Sequence, residues 1–317
     1  MPIKFTVSVI IPVYNAEAFL EKAIKSALQQ PEVLEVIVVN DGITDGSLEI
    51  TEGLKQKDSR VKIYHHKNNV NRGRSASRNL GIEKASANYI AFLDADDYFL
   101  PNRFANDKQI FEKFADAEGV YNAVGFHFYR EASVQELKKH TLYTVTREIE
   151  PQKLFKTLLY GKAGHFHIDG LTVKSSIFNK TGGFNKKLVV AEDSEMFWKM
   201  AITSQLYTGI IKEPLAIRGV HDDNIFDQTD VYKIYTIKMY EALITWCSKN
   251  KIHFEIIDEL FKWIWIIKEK EKNALAQDIQ YWTRLFLPHP KLLFSLLSIK
   301  YFPVVRFRQK LFPFLFK

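Results

Sequence analysis

The stretch Tyr89-Ile90-Ala91-Phe92-Leu93-Asp94-Ala95-Asp96-Asp97 begins as an unbroken apolar run and ends in three carboxylates within four residues. Such a run reads as a strand buried on both faces of a parallel sheet. In open α/β sheets ligands bind outside the carboxyl ends of the strands, so these acids stand where a ligand site is expected. Carboxylates this close repel one another unless positive charge sits among them. A hard divalent cation, Mg²⁺ or Mn²⁺, held by one or two of them together with phosphate oxygens, would supply that charge. Asp96 and Asp97 read equally as turn and helix-cap residues ahead of Pro101, and an Asp-x-Asp pair alone does not separate the two.

Upstream, the same pattern recurs. Val7-Ser8-Val9-Ile10-Ile11-Pro12-Val13 and Glu35-Val36-Ile37-Val38-Val39-Asn40 predict buried strands, and Val61-Lys62-Ile63-Tyr64-His65 a third. Between them, Phe19, Leu20, Ala23, Ile24, Ala27 and Leu28 share one face of a helix predicted over residues 17–29. A second helix runs to about Lys57, with Asp45 or Ser47 as its cap, and a third is predicted from about Ser75 through Ala85. Strands alternating with helices over the first hundred residues predict an α/β fold with a doubly wound, mostly parallel sheet.

A second chemical site lies at the end of the second strand, in Asp41-Gly42-Ile43-Thr44-Asp45-Gly46-Ser47. Asp41 there can accept hydrogen bonds from a base or ribose, and the glycines let a ligand approach the backbone. An ordinary Asp-Gly turn has the same appearance. Arg74 and Arg78 stand at the start of the third helix, where the macrodipole favours anions. That conflict disappears if a phosphate or a carboxylate cluster faces them, and Arg78 is the better placed for the acidic strand.

Several chemistries are excluded. No Gly-x-Gly-x-x-Gly follows the first strand and no Walker sequence occurs, which disfavours dinucleotide enzymes and phosphate-loop ATPases. No Cys or His pair has zinc spacing; His165 and His167 alternate as along a strand and read as structural. The lone Cys247 leaves no intramolecular disulfide, consistent with a reducing, cytoplasmic location, and no secretory signal pattern or spanning apolar segment is legible.

Together the segments Val9-Ile10-Ile11-Pro12-Val13-Tyr14-Asn15, Val39 to Ser47, Ser77-Arg78-Asn79-Leu80-Gly81 and Phe92 to Asp97 resemble glycosyltransferase family 2. The resemblance covers about residues 7–225. It implies the GT-A fold, a Rossmann-like sheet flanked by helices, and inverting sugar transfer from a nucleotide-diphosphate sugar, with uridine favoured by family habit. It implies that Pro12, Val13, Tyr14 and Asp41 line the base and ribose pocket, with Arg78, Asp94, Ala95 and Asp96 on the donor side. Asp96 would bind the metal, and Asp94 the ribose or a metal-bound water. Ile43 stands where the family usually has Ser.

Farther on, helices are predicted over residues 101–114 and 153–160, a strand over 119–129, and a hairpin or loop over the polar residues 130–150. Thr181-Gly182-Gly183-Phe184-Asn185 followed by Ala191-Glu192-Asp193-Ser194 again resembles the family, in which the second acid of the pair is the general base. On that basis Asp193 takes the acceptor hydroxyl's proton and Glu192 shapes the site. The pair also suits an ordinary helix N-terminus. Arg218-Gly219-Val220-His221-Asp222-Asp223-Asn224 follows a strand-like run. In many relatives such a segment folds over the donor, which makes His221 a candidate metal ligand, neutral imidazole suiting Mn²⁺.

The net charge of +7 is unevenly placed. Residues 279–317 contain no Asp or Glu but hold Arg284, Lys291, Lys300, Arg306, Arg308, Lys310 and Lys317. The remaining 278 residues balance at 37 basic and 37 acidic side chains, a neutral body with no nucleic-acid motif. Leucines, aromatics and cations punctuated by Pro288, Pro290, Pro303 and Pro313 fit an anionic membrane interface. A C-terminal helix packed on the domain, or a homodimer contact, is the alternative.

The expectation is thus a glycosyltransferase domain over 1–227, with a donor half to about 100 and an acceptor half beyond, then a helical, membrane-associating region over 228–317. The enzyme would add single sugars to a surface-glycan, lipopolysaccharide or lipid-linked saccharide acceptor at the inner face of the cell membrane. A catalytically silent nucleotide-sugar or glycan-binding module is the alternative.

Overall fold

Val7, Val9, Ile10, Ile11 and Val13 have no exposed surface, as a run without a polar face requires when neighbours cover both sides. In the computed structural model, which describes residues 4–222, 229–271, 273–311 and 314, this run is β1 (Val7–Val13). It lies inside a seven-stranded sheet between β2 (Val33–Asn40) and β4 (Tyr89–Phe92), parallel to both. Beyond β2 comes β3 (Val61–His65), and beyond β4 come β8 (Leu171–Lys174), β6 (Gly119–Tyr121) and β9 (Leu206–Thr208). Only β8 runs antiparallel to its neighbours. The chain winds outward from β1 to β3, then crosses back to β4 on the other side. That reversal opens a crevice at the carboxyl ends of β1 and β4.

Three helices connect these strands: α1 (Leu20–Leu28), α2 (Ser47–Lys57) and α3 (Arg74–Lys84). The first starts three residues later than its apolar pattern because Glu17 is held elsewhere. Its amide donates to Asp45 Oδ2 (3.0 Å) and its carboxylate accepts from the Gly46 amide (3.1 Å). Asp45 also accepts from the Ser47 amide (3.1 Å), so it serves the start of α2 from one residue before the cap position.

A second, three-stranded sheet holds β5 (Tyr98–Phe99), β7 (Val124–Phe128) and, between them, β10 (Ala216–Val220). The single strand predicted over 119–129 is therefore two. Buried Asn122 breaks it: its Nδ2 donates to Asp107 Oδ1 (2.8 Å) and its Oδ1 accepts from the Ile210 amide (2.8 Å). Those bonds fix a turn that passes the chain from one sheet to the other. Asp107 belongs to α4 (Ala105–Lys113), the observed part of the helix predicted over 101–114. Residues 130–150 are not a hairpin; they contain α5 (Val134–Lys139), started by a capping box between Ser133 and Glu136. Then follow α6 (Pro151–Tyr160), α7 (Phe178–Thr181) and α8 (Glu192–Thr203).

Contacts divide the chain into two compact units, Met1–Asp227 and Gln228–Lys317. The second is helical: α9 (Thr229–Lys249), α10 (Phe254–Lys270), α11 (Leu275–Phe286) and four short turns, α12 (Pro290–Leu293), α13 (Leu296–Tyr301), α14 (Pro303–Arg306) and α15 (Arg308–Leu311). Within it Phe261 stacks on Phe286 (4.7 Å) and Tyr301 (5.1 Å), and Tyr301 donates to Asp258 Oδ1 (2.7 Å). Asp223 and Asn224 of the segment quoted above lie outside the described residues, as do most residues after Leu311. Among the described residues no helix is long and apolar enough to cross a membrane.

If Asn122 sets the turn between the sheets, Asn122→Ala leaves the Ile210 amide and one Asp107 oxygen unpaired in the interior. The expected cost is about 2–4 kcal/mol for two buried groups, read as a lowered urea midpoint for the first unit.

Candidate active site

Arg78 has no exposed surface, yet its guanidinium carries the charge around which the crevice is built. The helix α3 presents Arg74 and Arg78 one turn apart on the same face. Arg78 Nη2 donates to Asp94 Oδ1 at 2.7 Å, and Nη1 to Asp193 Oδ1 at 2.5 Å and Glu192 Oε1 at 3.3 Å. Arg74 Nε reaches the same Glu192 oxygen at 2.5 Å. The cluster facing the arginines is thus carboxylate, and Arg78 binds the acids rather than standing open to a donor. Beside it, Asn79 clamps the Gly182-Gly183-Phe184 turn, donating to the Phe184 carbonyl (2.9 Å) and accepting from its amide (2.7 Å). A Cβ on Gly183 would stand 2.5 Å from Asn79 Oδ1, so the clamp needs glycine there.

Helix α8 begins after Ala191, whose φ of 65° is a strained, left-handed value for a residue with a Cβ. The turn sends Glu192 inward, 1% exposed, and leaves the Asp193 side chain 28% exposed at the crevice. These environments separate the acids. Burial and the neighbouring Asp193 charge push Glu192 up to about 7, against the pull of both arginines. Burial would also raise Asp94, but the Arg78 charge outweighs it and holds Asp94 at about 2. Arg78 itself, despite burial, is held still more firmly protonated by the three carboxylates.

On the other side of Asp94, Asp96 meets His221 at 3.0 Å, and Phe19 stacks flat on that imidazole (4.9 Å, 21°). Gly219 makes the approach possible, since a Cβ there would lie 2.3 Å from the Asp96 carbonyl oxygen. Asp97, buried, accepts from the Gly219 amide at 2.7 Å. Burial and the adjacent Asp169 push its carboxyl well above the usual range. Asp94, Asp97 and His167 bring one ligand atom each within 4.8 Å of one another. Sequence spacing did not point to His167 or Asp169, which arrive from more than 70 residues away on the segment leading into β8. His167 lies outside any strand, and its Nδ1 sits 3.2 Å from Asp169 Oδ2.

Two donor sets can therefore be compared for a divalent cation. Asp96 with the His221 imidazole pairs an oxygen with a nitrogen donor, a mixture that Mn²⁺ accepts, while Asp94, Asp97 and His167 form the group of three potential ligands found among the described residues.

The turns after β1 and β2 are laced by backbone hydrogen bonds. Asp41 Oδ1 accepts from the Arg72 amide (2.7 Å), Asn40 Oδ1 from the Gly42 (2.8 Å) and Ile43 (2.9 Å) amides, and Asn15 Oδ1 from the Thr44 amide (2.8 Å). Gly42 has φ 84° and passes so close to Asn71 that a Cβ would stand 2.7 Å from its amide nitrogen. Pro12, Val13 and Ala95 are buried; Tyr14, 55% exposed, is the side chain that emerges at the rim. Ile43 packs against the core.

Because Glu192 is raised above its ordinary 4.5, the fold favours its protonated form. Its contribution to stability is complete below pH 4.5 and is lost as pH rises through about 7. Relative to Glu192→Gln, the unsubstituted protein should lose at most about 3 kcal/mol across that window. Melting temperatures of both proteins from pH 4.5 to 8.5 measure it; a constant difference would contradict it.

A model of glycosyl transferase family 2 matches residues 8–182, more than half of the chain. An uncharacterized glycosyltransferase of Haemophilus influenzae is 46% identical over 103 residues, 32% of this chain and 38% of that protein. One from Rickettsia typhi is 30% identical over 254 residues, 79% of this chain and 74% of that protein. The minor teichoic acid biosynthesis protein GgaA of Bacillus subtilis is 28% identical over 260 residues, 79% and 56%. The chain thus spans little more than a third of some curated relatives. Among solved structures, S. aureus TarS 1-349 in complex with UDP-GlcNAc aligns with a TM-score of 0.65 at 16% identity, over 96% of this chain and 87% of that one. The mannosyltransferase PcManGT from Pyrobaculum calidifontis, in complex with GDP-Man and Mn2+, aligns at 0.53 and 15%, over 97% and 87%. At such identities the likeness is one of fold, and that fold is the one expected from the four motifs. With acids at the strand ends, a buried arginine beneath them and a family model spanning both, the chain belongs to glycosyl transferase family 2 and has the GT-A fold.

Proposed function

We propose that this protein is a metal-dependent, inverting glycosyltransferase that moves one hexosyl or N-acetylhexosaminyl unit from a nucleotide-diphosphate sugar, uridine-linked, to a saccharide hydroxyl. The observation that carries this reading is the Arg78 bridge, which holds Asp94 of the donor strand and Asp193 of the acidic pair on one guanidinium. A donor anchored beside Asp94 then presents its sugar toward Asp193. TarS with UDP-GlcNAc and GgaA, named for teichoic acid biosynthesis, support the uridine-linked donor and a surface-glycan, lipopolysaccharide or lipid-linked acceptor. The acid-free C-terminal region supports work at the inner, anionic face of the cell membrane.

Each group has a task. Tyr14 and Asp41, on the β1 and β2 turns, hold base and ribose; Pro12 and Val13 contribute the strand end that supports Tyr14. Asp96 and His221, with Asp94 beside them, would hold Mn²⁺ or Mg²⁺, which screens the diphosphate and stabilises the charge it gains on leaving. Asp193, the exposed member of the acidic pair, takes the acceptor hydroxyl's proton as that oxygen attacks the anomeric carbon opposite the leaving group. Arg78 keeps Asp193 in place. Glu192, buried under Arg74, shapes the floor.

A thermal-shift panel of nucleotide diphosphates and nucleotide sugars, with and without Mn²⁺, tests the donor side without a known acceptor. A ligand that binds only the folded protein raises its melting temperature. Stabilisation by uridine conjugates, strongest with metal and lost in Asp96→Ala, is expected. No response to any nucleotide from folded protein would overturn the reading. Once an acceptor is found, Asp193→Asn should lower turnover by about 10²–10⁴-fold while leaving the nucleotide-induced shift in place.

A further inference from the structure

The short turns that end the second unit are amphipathic in an unusual sense. On α13, Leu297 and Tyr301 point inward and are buried, together with Ser298. The outward face carries Leu296, 84% exposed, and Ile299, 59% exposed, with Lys300 beside them at the i, i+4 position. Phe294, in the turn just before, is 87% exposed, and Leu287, after α11, is 61% exposed. Surface apolar residues scattered singly need no explanation, but four within thirteen residues on consecutive turns do.

Charge indicates what covers them. No carboxylate occurs from residue 279 onward. Two of the cations there are used inside the unit: Arg284 pairs with Glu241 (2.6 Å) and Lys300 with Asp258 (2.7 Å). Lys291 is exposed on α12, three residues before Phe294. A second copy of the same face would set cation against cation across a two-fold axis. An anionic lipid surface supplies the opposite charge together with an apolar layer beneath it.

We propose that Phe294, Leu296 and Ile299 form a membrane-insertion face, with Lys291, three residues before Phe294, at the level of anionic headgroups. The inference deepens the membrane reading given above by assigning it to particular side chains. Interfacial binding of this kind scales with buried apolar area plus attraction to anionic lipid, so both parts should be separable.

The test uses the full chain and flotation with vesicles of one part phosphatidylglycerol to three parts phosphatidylcholine, against pure phosphatidylcholine. Preferential binding to the anionic vesicles, weakened in 0.5 M salt, is expected. The double variant Phe294→Asp/Leu296→Asp should lower partitioning by about 100-fold or more, because it removes two buried apolar side chains. Phe294→Ser/Leu296→Ser should give a smaller loss without adding negative charge, and a retained nucleotide-induced thermal shift shows that each variant is folded. If both variants bind as well as the parent, the insertion face is wrong although the membrane reading stands. If the parent ignores anionic vesicles, both fail, and the nucleotide panel judges the transferase reading separately. Concentration-dependent dimers in light scattering that the same variants abolish would also overturn the insertion face, making it a contact between copies.

Discussion

A guanidinium with no access to water requires carboxylate partners, and in this protein that requirement organises the crevice. Arg78 brings the end of β4 together with two segments some ninety or more residues later, the Gly-Gly-Phe turn and the start of α8. Burying such a cluster contributes little net stability, since desolvation offsets most of the attraction, but losing any one partner leaves a charge uncompensated. The arrangement therefore specifies position. Asp94 and Asp193 cannot drift apart without stranding Arg78. The neighbouring details follow from the same need, including the Asn79 clamp on Phe184, glycine at 183 and the strained Ala191 that turns Glu192 inward.

The other rim of the crevice is built by close backbone approach. Gly219 lets β10 pass against Asp96, Asp97 receives the Gly219 amide, and the strand then delivers His221 onto Asp96. Three adjacent aspartates consequently have three different fates. Asp94 is ionised against arginine, Asp96 faces an imidazole, and Asp97 is buried beside Asp169 with its carboxyl favouring the proton. Negative charge is retained beside the Arg78 guanidinium and suppressed where two buried carboxyls meet.

Much of this was legible in the residues. The apolar runs of β1, β2 and β4 have no polar face, and a chain with such runs must bury them on both sides, which leads to a wound sheet with its site at the strand ends. Asp41, Arg78, Asp94, Asp96, Glu192 and Asp193 all stand out by residue type at those ends or at helix starts. Even the helix in the polar stretch 130–150 has a local mark in Ser133 and Glu136, the residues of its capping box. The tail's lack of acid was visible too, but not which of its leucines and aromatics face inward.

What remained hidden depends on chain paths. Periodicities of two and 3.6 describe neighbours a few residues apart, and they determined the fold class, the order of the first elements and the identity of the acids. The division of one apparent strand at Asn122, the arrival of His167 and Asp169 beside the acidic strand, and the capture of Glu192 by Arg74 link residues 70 to 118 positions apart. No local pattern encodes such distances. They follow only when the sheet order brings β8, β10 and α8 around β4, because charge, protonation and burial belong to the assembled neighbourhood rather than to any residue alone.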